Sequence, residues 1–100
     1  MNIVEKVGIE GNPSQGPFIQ ISLKIILDSD IVTGINFKTH QCGILKAVCC
    51  TLMDMVVGQS LENVKKITEE IFLEKVGWLP LGKQHYPKMV VIALKKALDS

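Results

Sequence analysis

The 100-residue sequence contains no arginine, and this absence narrows the partners that it is expected to bind. All eleven basic residues are lysines, so the planar, bidentate group that commonly contacts phosphate and guanine is missing. The lysines are scattered, apart from the pairs Lys65-Lys66 and Lys95-Lys96, and the formal net charge is only +1. Both pairs fit the solvent-facing side of a helix. We therefore expect no nucleic-acid binding.

Cysteine is scarce, and long apolar runs are lacking. Three cysteines are an odd number, which suits a reducing compartment better than a disulfide framework. The longest clean apolar run, residues 89–94, is too short to span a bilayer. Residues 1–6 do not show the basic and then apolar layout of a signal peptide. These features predict a cytoplasmic protein without a membrane segment.

Apolar residues, in contrast, are plentiful enough for one packed core. They make up 47% of the chain, and 100 residues allow one sizeable core but not two ordinary domains, so we expect a single domain over 1–100. Alternation of apolar and polar residues predicts strands over roughly 2–10, 18–27 and 31–39. Asp28-Ser29-Asp30 is typical of a tight turn, and it favours an antiparallel meander.

The pattern changes to helical spacing after the third strand. Residues 42–57 are apolar nearly all round, with Lys46 and Asp54 as a narrow polar stripe, so this helix is expected to be largely buried. A last helix is predicted over 87–98, with Pro87 at its start. Strands followed by helices predict an α+β fold, in which both long helices cross one face of a three-stranded antiparallel sheet.

Few residues in the sequence are candidates for catalysis or metal binding. The sequence lacks C-x-x-C, H-E-x-x-H, P-loop and glycine-rich nucleotide motifs. Cys42 is predicted to begin a helix, where backbone N–H groups favour a thiolate. His85 and Tyr86 have the same kind of position at the last helix. A Cys42/His85 hydrolase or transferase is one interpretation, but neither a glycine-rich oxyanion loop nor an orienting carboxylate accompanies the pair.

The remaining cysteines and the other histidine are expected to be structural. Cys49 and Cys50 lie inside the helix that is predicted to be buried, and free cysteine is among the most buried residue types. His40 is expected to be a surface residue at the end of a strand, since the position before it is polar. On the residues alone, the sequence therefore indicates an α+β domain with a helix-terminal cysteine and histidine.

Three segments of the sequence resemble the NifU/IscU-type iron–sulfur scaffold family. The first is Phe37-Lys38-Thr39-His40-Gln41-Cys42-Gly43, followed by a helix and Gly58-Gln59-Ser60-Leu61, where the family has aromatic-Lys-x-x-Gly-Cys-Gly and then Gly-Lys-Ser-Leu. The second is Leu79-Pro80-Leu81-Gly82-Lys83-Gln84-His85, where the family has Leu-Pro-Pro-Val-Lys-x-His. The third, Gly11-Asn12-Pro13-Ser14-Gln15-Gly16, falls where the family has Gly-x-x-x-Cys-Gly-Asp. The resemblance covers nearly the whole chain in order, and it implies the NifU/IscU-like α+β fold.

The resemblance also implies a set of metal ligands. The family holds its cluster or zinc with three cysteines, assisted by a histidine and an aspartate. Cys42 matches the middle cysteine and His85 the histidine, so these two residues are the expected ligands. The positions of the first cysteine, the aspartate and the last cysteine have changed, to Gln15, Pro17 and Tyr86. His40 is a candidate auxiliary ligand.

The implied function is a non-enzymatic, scaffold-like role in iron–sulfur cluster assembly. A [2Fe–2S] centre normally takes four protein ligands, so iron or a cluster would bind weakly, or only with a partner or a second subunit; zinc is the other metal implied. The implied partners are a cysteine desulfurase and an Hsp70-type chaperone, which in the family reads the loop matched by Leu79, Pro80 and Lys83. The alternative is a cluster-free adaptor or regulatory module that keeps the fold and the docking surface.

Overall fold

The computed structural model describes residues 2–40 and 42–100. In this part of the chain, three nine-residue strands form an antiparallel sheet in the order β1-β2-β3, and four helices follow. The strands are β1 (Ile3–Gly11), β2 (Phe18–Ile26) and β3 (Ile31–Thr39). The helices are α1 (Gly43–Val56), α2 (Leu61–Lys65), α3 (Glu69–Val76) and α4 (Tyr86–Asp99). The predicted α+β class, the antiparallel sheet and the two long helices are confirmed.

The central strand β2 shows why one face of the sheet collects the helices. Between Ile19 and Ile25 its apolar side chains alternate with polar ones, so these apolar groups point to the same face. The apolar set is fully buried and consists of Ile19, Ile21, Leu23 and Ile25. The polar set on the opposite face consists of Gln20, Ser22 and Lys24. The helices therefore pack on the face that carries this buried set.

Helix α4 crosses β1 and β2 at very close range. The contact is made by Gly8 of β1 and by the fully buried Ala93 and Ala97 of α4. A methyl group on Gly8 would come within 3.0 Å of backbone atoms of both alanines, so only glycine allows this approach. The contact fixes α4 across the sheet, and with α4 the position of the residues at its N-terminus.

Helix α1 is less buried than the sequence predicts. Its inner side lies against β3, α3 and α4 and carries the buried residues Leu45, Val48, Cys49, Leu52 and Val56. Its outer side exposes Ala47, Cys50 and Met53 in addition to the charged residues. The expectation that this helix is largely buried, and that Cys50 is a core residue, is therefore wrong. The reason is the position of α1 at the edge of the domain, where elements cover only one of its sides.

Helices α2 and α3 have well-defined beginnings. The Ser60 hydroxyl accepts a hydrogen bond from the Asn63 N–H at 3.2 Å, and the Thr68 hydroxyl accepts one from the Ile71 N–H at the same distance. Such N-caps satisfy backbone donors that a helix leaves open. Helix α3 ends at Gly77, which has a positive φ of 77°. None of the helices in the described ranges has the length and apolarity that a membrane crossing requires.

Candidate metal centre

Cys42 occupies the N-cap position of α1 in an extended conformation. Its carbonyl accepts a hydrogen bond from the Lys46 N–H at 3.1 Å, which starts the helix. A hydrogen bond with the Tyr86 hydroxyl is the largest cause that lowers the pKa of the Cys42 thiol, and a backbone hydrogen bond at Leu45 acts in the same direction. Because thiolates rather than thiols bind metals and attack electrophiles, this position favours the reactive form of Cys42.

Tyr86 links the beginning of α4 to Cys42. Its side chain is buried, at 2% exposure, and it follows His85, the N-cap residue of α4. The Tyr86 hydroxyl lies 3.4 Å from His40 Nε2, and the Lys83 ammonium donates to it at 3.4 Å. The hydrogen bond with Cys42 and the burial of the ring raise the pKa of Tyr86. Three ionisable side chains, those of His40, Lys83 and Cys42, therefore act on one phenolic oxygen.

His40 is not the free surface residue that the sequence suggests. It is half-buried, with its ring between those of Phe18 and Tyr86 at centroid distances of 6.3 and 6.0 Å. Its Nδ1 lies 3.2 Å from the Phe18 backbone nitrogen and 3.3 Å from the Phe18 carbonyl oxygen. The polar residue before it did not indicate this environment, because the contact partners are distant in the sequence.

The other expected ligand positions are more exposed. His85 is exposed, and its ring centroid lies 4.6 Å from that of Tyr86 in an edge-on arrangement. Gln15 and Pro17 lie in the exposed loop between β1 and β2, where the Gln15 N–H donates to the Asn12 carbonyl at 3.0 Å. The expectation that Cys42 and His85 bind one metal ion stays a prediction.

Within residues 2–40 and 42–100, no three side chains of histidine, cysteine, aspartate or glutamate lie together as a metal-binding group. His40, Cys42 and His85 therefore do not form one three-ligand cluster. The Tyr86 hydroxyl contacts His40 Nε2 and lowers the pKa of Cys42, and Tyr86 stands where the resemblance predicts the last cysteine of the family. One thiol is too few for a [2Fe–2S] cluster within a single chain.

The other two cysteines have contrasting environments. Cys49 is buried, and desolvation raises the pKa of its thiol to about 12, so it stays protonated at neutral pH. Cys50 is exposed and lines a cleft of about 460 Å³ between β3 and α1. The other residues around this cleft are Phe37, Lys38, Thr39, Lys46 and Cys49.

The loop that precedes α4 presents two large apolar side chains to solvent. Trp78 is 84% exposed and Leu81 is 91% exposed. Between them, Leu79 packs against the core. The Lys83 N–H donates to the Pro80 carbonyl at 3.1 Å, which turns the chain back towards the site. Sequence reasoning singled out Leu79, Pro80 and Lys83 of this loop, quoted Leu81 without giving it a role, and did not name Trp78. The signal for both residues was a large apolar side chain outside any helical or strand pattern.

Comparison with known proteins places this arrangement in a family. The chain matches the family described as NifU-like N terminal domain over residues 2–100. The iron-sulfur cluster assembly scaffold protein IscU of Aquifex aeolicus is 30% identical over 92 residues, which are 92% of this chain and 59% of that protein. Iron sulfur cluster assembly protein 2, mitochondrial, of Saccharomyces cerevisiae is 30% identical over 91% of this chain and 58% of its own length.

A third relative is the nitrogen fixation protein NifU of Azotobacter chroococcum, which is 30% identical over 79% of this chain and 26% of its own length. The chain thus spans about three-fifths of the IscU relative of Aquifex aeolicus, at 59%, and less of NifU. The match nevertheless runs through all three strands and all four helices of the described ranges. The chain belongs to the NifU-like N terminal domain family.

Proposed function

We propose that this protein is a scaffold-like component of iron–sulfur cluster assembly. It binds iron or a [2Fe–2S] cluster weakly, or only together with a partner or a second subunit. The observation that carries the proposal is the position of Cys42 at a helix N-terminus, in a chain whose relatives include proteins described as cluster assembly scaffolds. Iron and sulfide are its cargo rather than the substrates of a turnover reaction, so no enzymatic activity is proposed.

The shortage of thiolates argues for a shared site. Cys49 is buried and protonated, and Cys50 lies on the outer side of α1. Cys42 is therefore the thiol that would bind the metal. Two chains would pool two Cys42 thiolates and two His85 imidazoles, which together supply the four ligands that a [2Fe–2S] centre normally takes. A monomer is expected to hold zinc or iron weakly, because water must complete its coordination.

The proposed partners are a cysteine desulfurase, as the sulfur donor, and an Hsp70-type chaperone. The exposed Trp78 and Leu81 support protein docking at the loop before α4, since tryptophan is enriched among residues that dominate binding energy at interfaces. The proposed compartment is the cytoplasm, on the cysteine usage described above.

The same loop supports the second candidate, a cluster-free adaptor. Its exposed apolar side chains stay available for docking whether or not a cluster binds. At the site, by contrast, Gln15, Pro17 and Tyr86 have replaced two cysteines and an aspartate of the family pattern. An adaptor would therefore keep the surface and lose the cargo.

Anaerobic reconstitution with iron and sulfide, followed by gel filtration, tests the scaffold function. We expect monomeric protein to be colourless as purified, and thiolate-to-iron absorption to appear in a dimer-sized fraction or after addition of a cysteine desulfurase. Cys42→Ser should abolish that absorption, and the matched control Cys50→Ser should retain it. If neither a dimer nor a partner complex retains iron and sulfide, the adaptor candidate replaces the scaffold.

Restoring the family pattern gives a second test. The variant Gln15→Cys, Pro17→Asp and Tyr86→Cys returns the three changed ligands, and Pro17 is included because its fixed φ restricts the loop. We expect this variant to bind zinc tightly as a monomer and to accept a [2Fe–2S] cluster. A folded triple variant that binds no more metal than the parent would mean that the backbone has diverged from the scaffold geometry.

A further inference from the structure

The outer edge of β3 already pairs with a short segment of the chain near the beginning of the strand. The Val32 N–H donates to the Gln59 carbonyl at 2.9 Å, and the Val32 carbonyl accepts from the Gly58 N–H at 2.8 Å. An isolated antiparallel bridge also joins Ile31 to Ser60. Further along the strand, β3 lies beside α1 instead. The first part of this edge is therefore covered by the segment that follows α1.

The hydrogen-bond pattern of the sheet shows which backbone groups lie at the rest of that edge. The Leu27 N–H donates to the carbonyl of Asn2, which lies opposite it where the register of β1 and β2 is continued. In an antiparallel pair, residues that bond across the pair alternate with residues that do not. The register of β2 with β3 then leaves the N–H and C=O groups of Phe37 and Thr39 pointing away from the sheet. Within the described ranges, neither backbone forms a hydrogen bond outside the sheet.

These edge groups lie in the cleft between β3 and α1. The cleft has a volume of about 460 Å³, within the range of roughly 300–1,000 Å³ that is usual for ligand sites. Phe37 packs against the core, on the inner face of the sheet, and the buried Cys49 lies across from it on α1. Lys38 has the opposite orientation, because side chains alternate along a strand. An open strand edge and an apolar floor thus meet in one cleft.

The cleft carries positive charge at its rim. Lys38 and Lys46 are exposed and line it, and the described lining residues include no aspartate or glutamate. In the part of the chain that the structure describes, the one ion pair joins Lys96 and Glu10, outside the cleft. Both rim ammoniums therefore have no carboxylate partner among the described residues, and they favour an acidic ligand.

We propose that this cleft binds an extended acidic peptide of a partner protein, which adds to β3 as a further antiparallel strand. Peptides that bind in this way gain affinity from main-chain hydrogen bonds and specificity from alternate side chains. Two peptide residues bond to the backbones of Phe37 and Thr39 and turn their side chains to the apolar floor. The site uses neither Cys42 nor a cluster, so it is independent of the proposed function.

The alternation of side chains also defines the peptide sequence that the cleft selects. The peptide residue between the two bonded positions points to the other face, directly opposite Lys38. Opposite charges stabilise such a cross-strand pair, and like charges destabilise it. The cleft therefore selects the pattern apolar-acidic-apolar, and Lys46 adds a second positive charge on the helix side.

Fluorescence anisotropy of labelled peptides with the 100-residue chain tests the proposal. The acidic probe is Ser-Val-Glu-Val-Ser, labelled at its N-terminus and amidated, and a matched lysine probe has Lys in place of Glu. We expect saturable binding of the acidic probe and at least about fivefold weaker binding of the lysine probe, since like charges then face each other.

N-methylated probes test the added strand itself. The two valine N–H groups point at β3 in the proposed pairing, so N-methylation of either valine should abolish binding. The glutamate N–H points away from β3, so N-methylation there should leave binding intact. These probes change no residue of the protein, and a loss of binding therefore cannot come from misfolding.

Variants of the chain test the role of the rim lysines. Lys38→Glu should weaken the acidic probe and strengthen the lysine probe. The matched control Lys66→Glu, at an exposed position outside the cleft, should bind both probes as the parent does. Both variants should keep the circular dichroism of the folded chain. Saturation with the acidic probe should also slow the alkylation of Cys50, which lines the cleft.

Three outcomes would overturn the proposal. The first is that the parent shows no saturable binding of the acidic probe. The second is equal binding of the acidic and lysine probes, which would mean that the cleft does not select charge. The third is binding that survives N-methylation of both valines, which would be an electrostatic contact without an added strand. Reconstitution with iron and sulfide decides the scaffold function separately from all three.

Discussion

Replacing Gly8 by alanine tests the contact that positions α4 on the sheet. The new methyl group would come within 3.0 Å of three backbone atoms, which belong to Ala93, Lys96 and Ala97. Backbone atoms cannot rotate away as a side chain does, so α4 or β1 must move by roughly 1 Å to restore ordinary contact distances of about 3.5 Å. The substitution therefore strains the whole interface between strand and helix.

The expected loss follows from two opposing effects. Overpacking a well-packed interior typically costs about 1–3 kcal/mol, and we expect about 3 kcal/mol for Gly8→Ala because only backbone can yield. Alanine also restricts the unfolded chain, which offsets about 0.4–1 kcal/mol. The net loss in free energy of unfolding is about 2 kcal/mol, and it corresponds to a decrease in Tm of roughly 8–16 °C for a domain of this size.

Urea and thermal unfolding followed by far-ultraviolet circular dichroism measure this loss. Gly34→Ala is the matched control, since Gly34 also lies in a strand but a methyl group there meets nothing within 4 Å. We expect the control to be neutral or stabilised by up to about 1 kcal/mol. Equal unfolding midpoints for Gly8→Ala and Gly34→Ala would refute the reasoning, because the close approach of α4 would then not be needed for stability.

Three further predictions concern the thiols and the core. Tyr86→Phe removes the hydrogen bond that contributes most to lowering the pKa of Cys42, so this pKa should rise. Alkylation of Cys42 by iodoacetamide near pH 7.5 should then become slower, because less thiolate is present. In the folded protein, Cys50 should react with iodoacetamide. Cys49 has a pKa of about 12 and a buried side chain, so it should stay unmodified until urea is added. Peptide mass spectrometry separates the two sites, and equal labelling would contradict the burial described for Cys49. Phe72 has 0% exposure, so Phe72→Ala should reduce the free energy of unfolding by about 3–5 kcal/mol in a urea titration. A loss below about 1 kcal/mol would show that α3 is not part of the cooperative core.

The sequence by itself determined the elements and their order. The alternation of β2 and the helical spacing after residue 42 depend on neighbours within a few positions, so they can be read locally. The approximate strand limits, the helix start at Cys42 and the last helix were predicted in this way. The family pattern added the expected ligand positions, of which Cys42 lies at the N-terminus of α1 as predicted.

Only the tertiary structure decided how these elements expose and combine their side chains. The apolar pattern of α1 could not show that the helix lies at an edge of the domain, and for that reason Cys50 was wrongly assigned to the core. The contact of His40 with Tyr86 joins residues 46 positions apart, and Gly8 is needed because α4 returns across β1. Such contacts depend on the relative placement of distant elements, which is set by packing of the whole core and not by any local pattern.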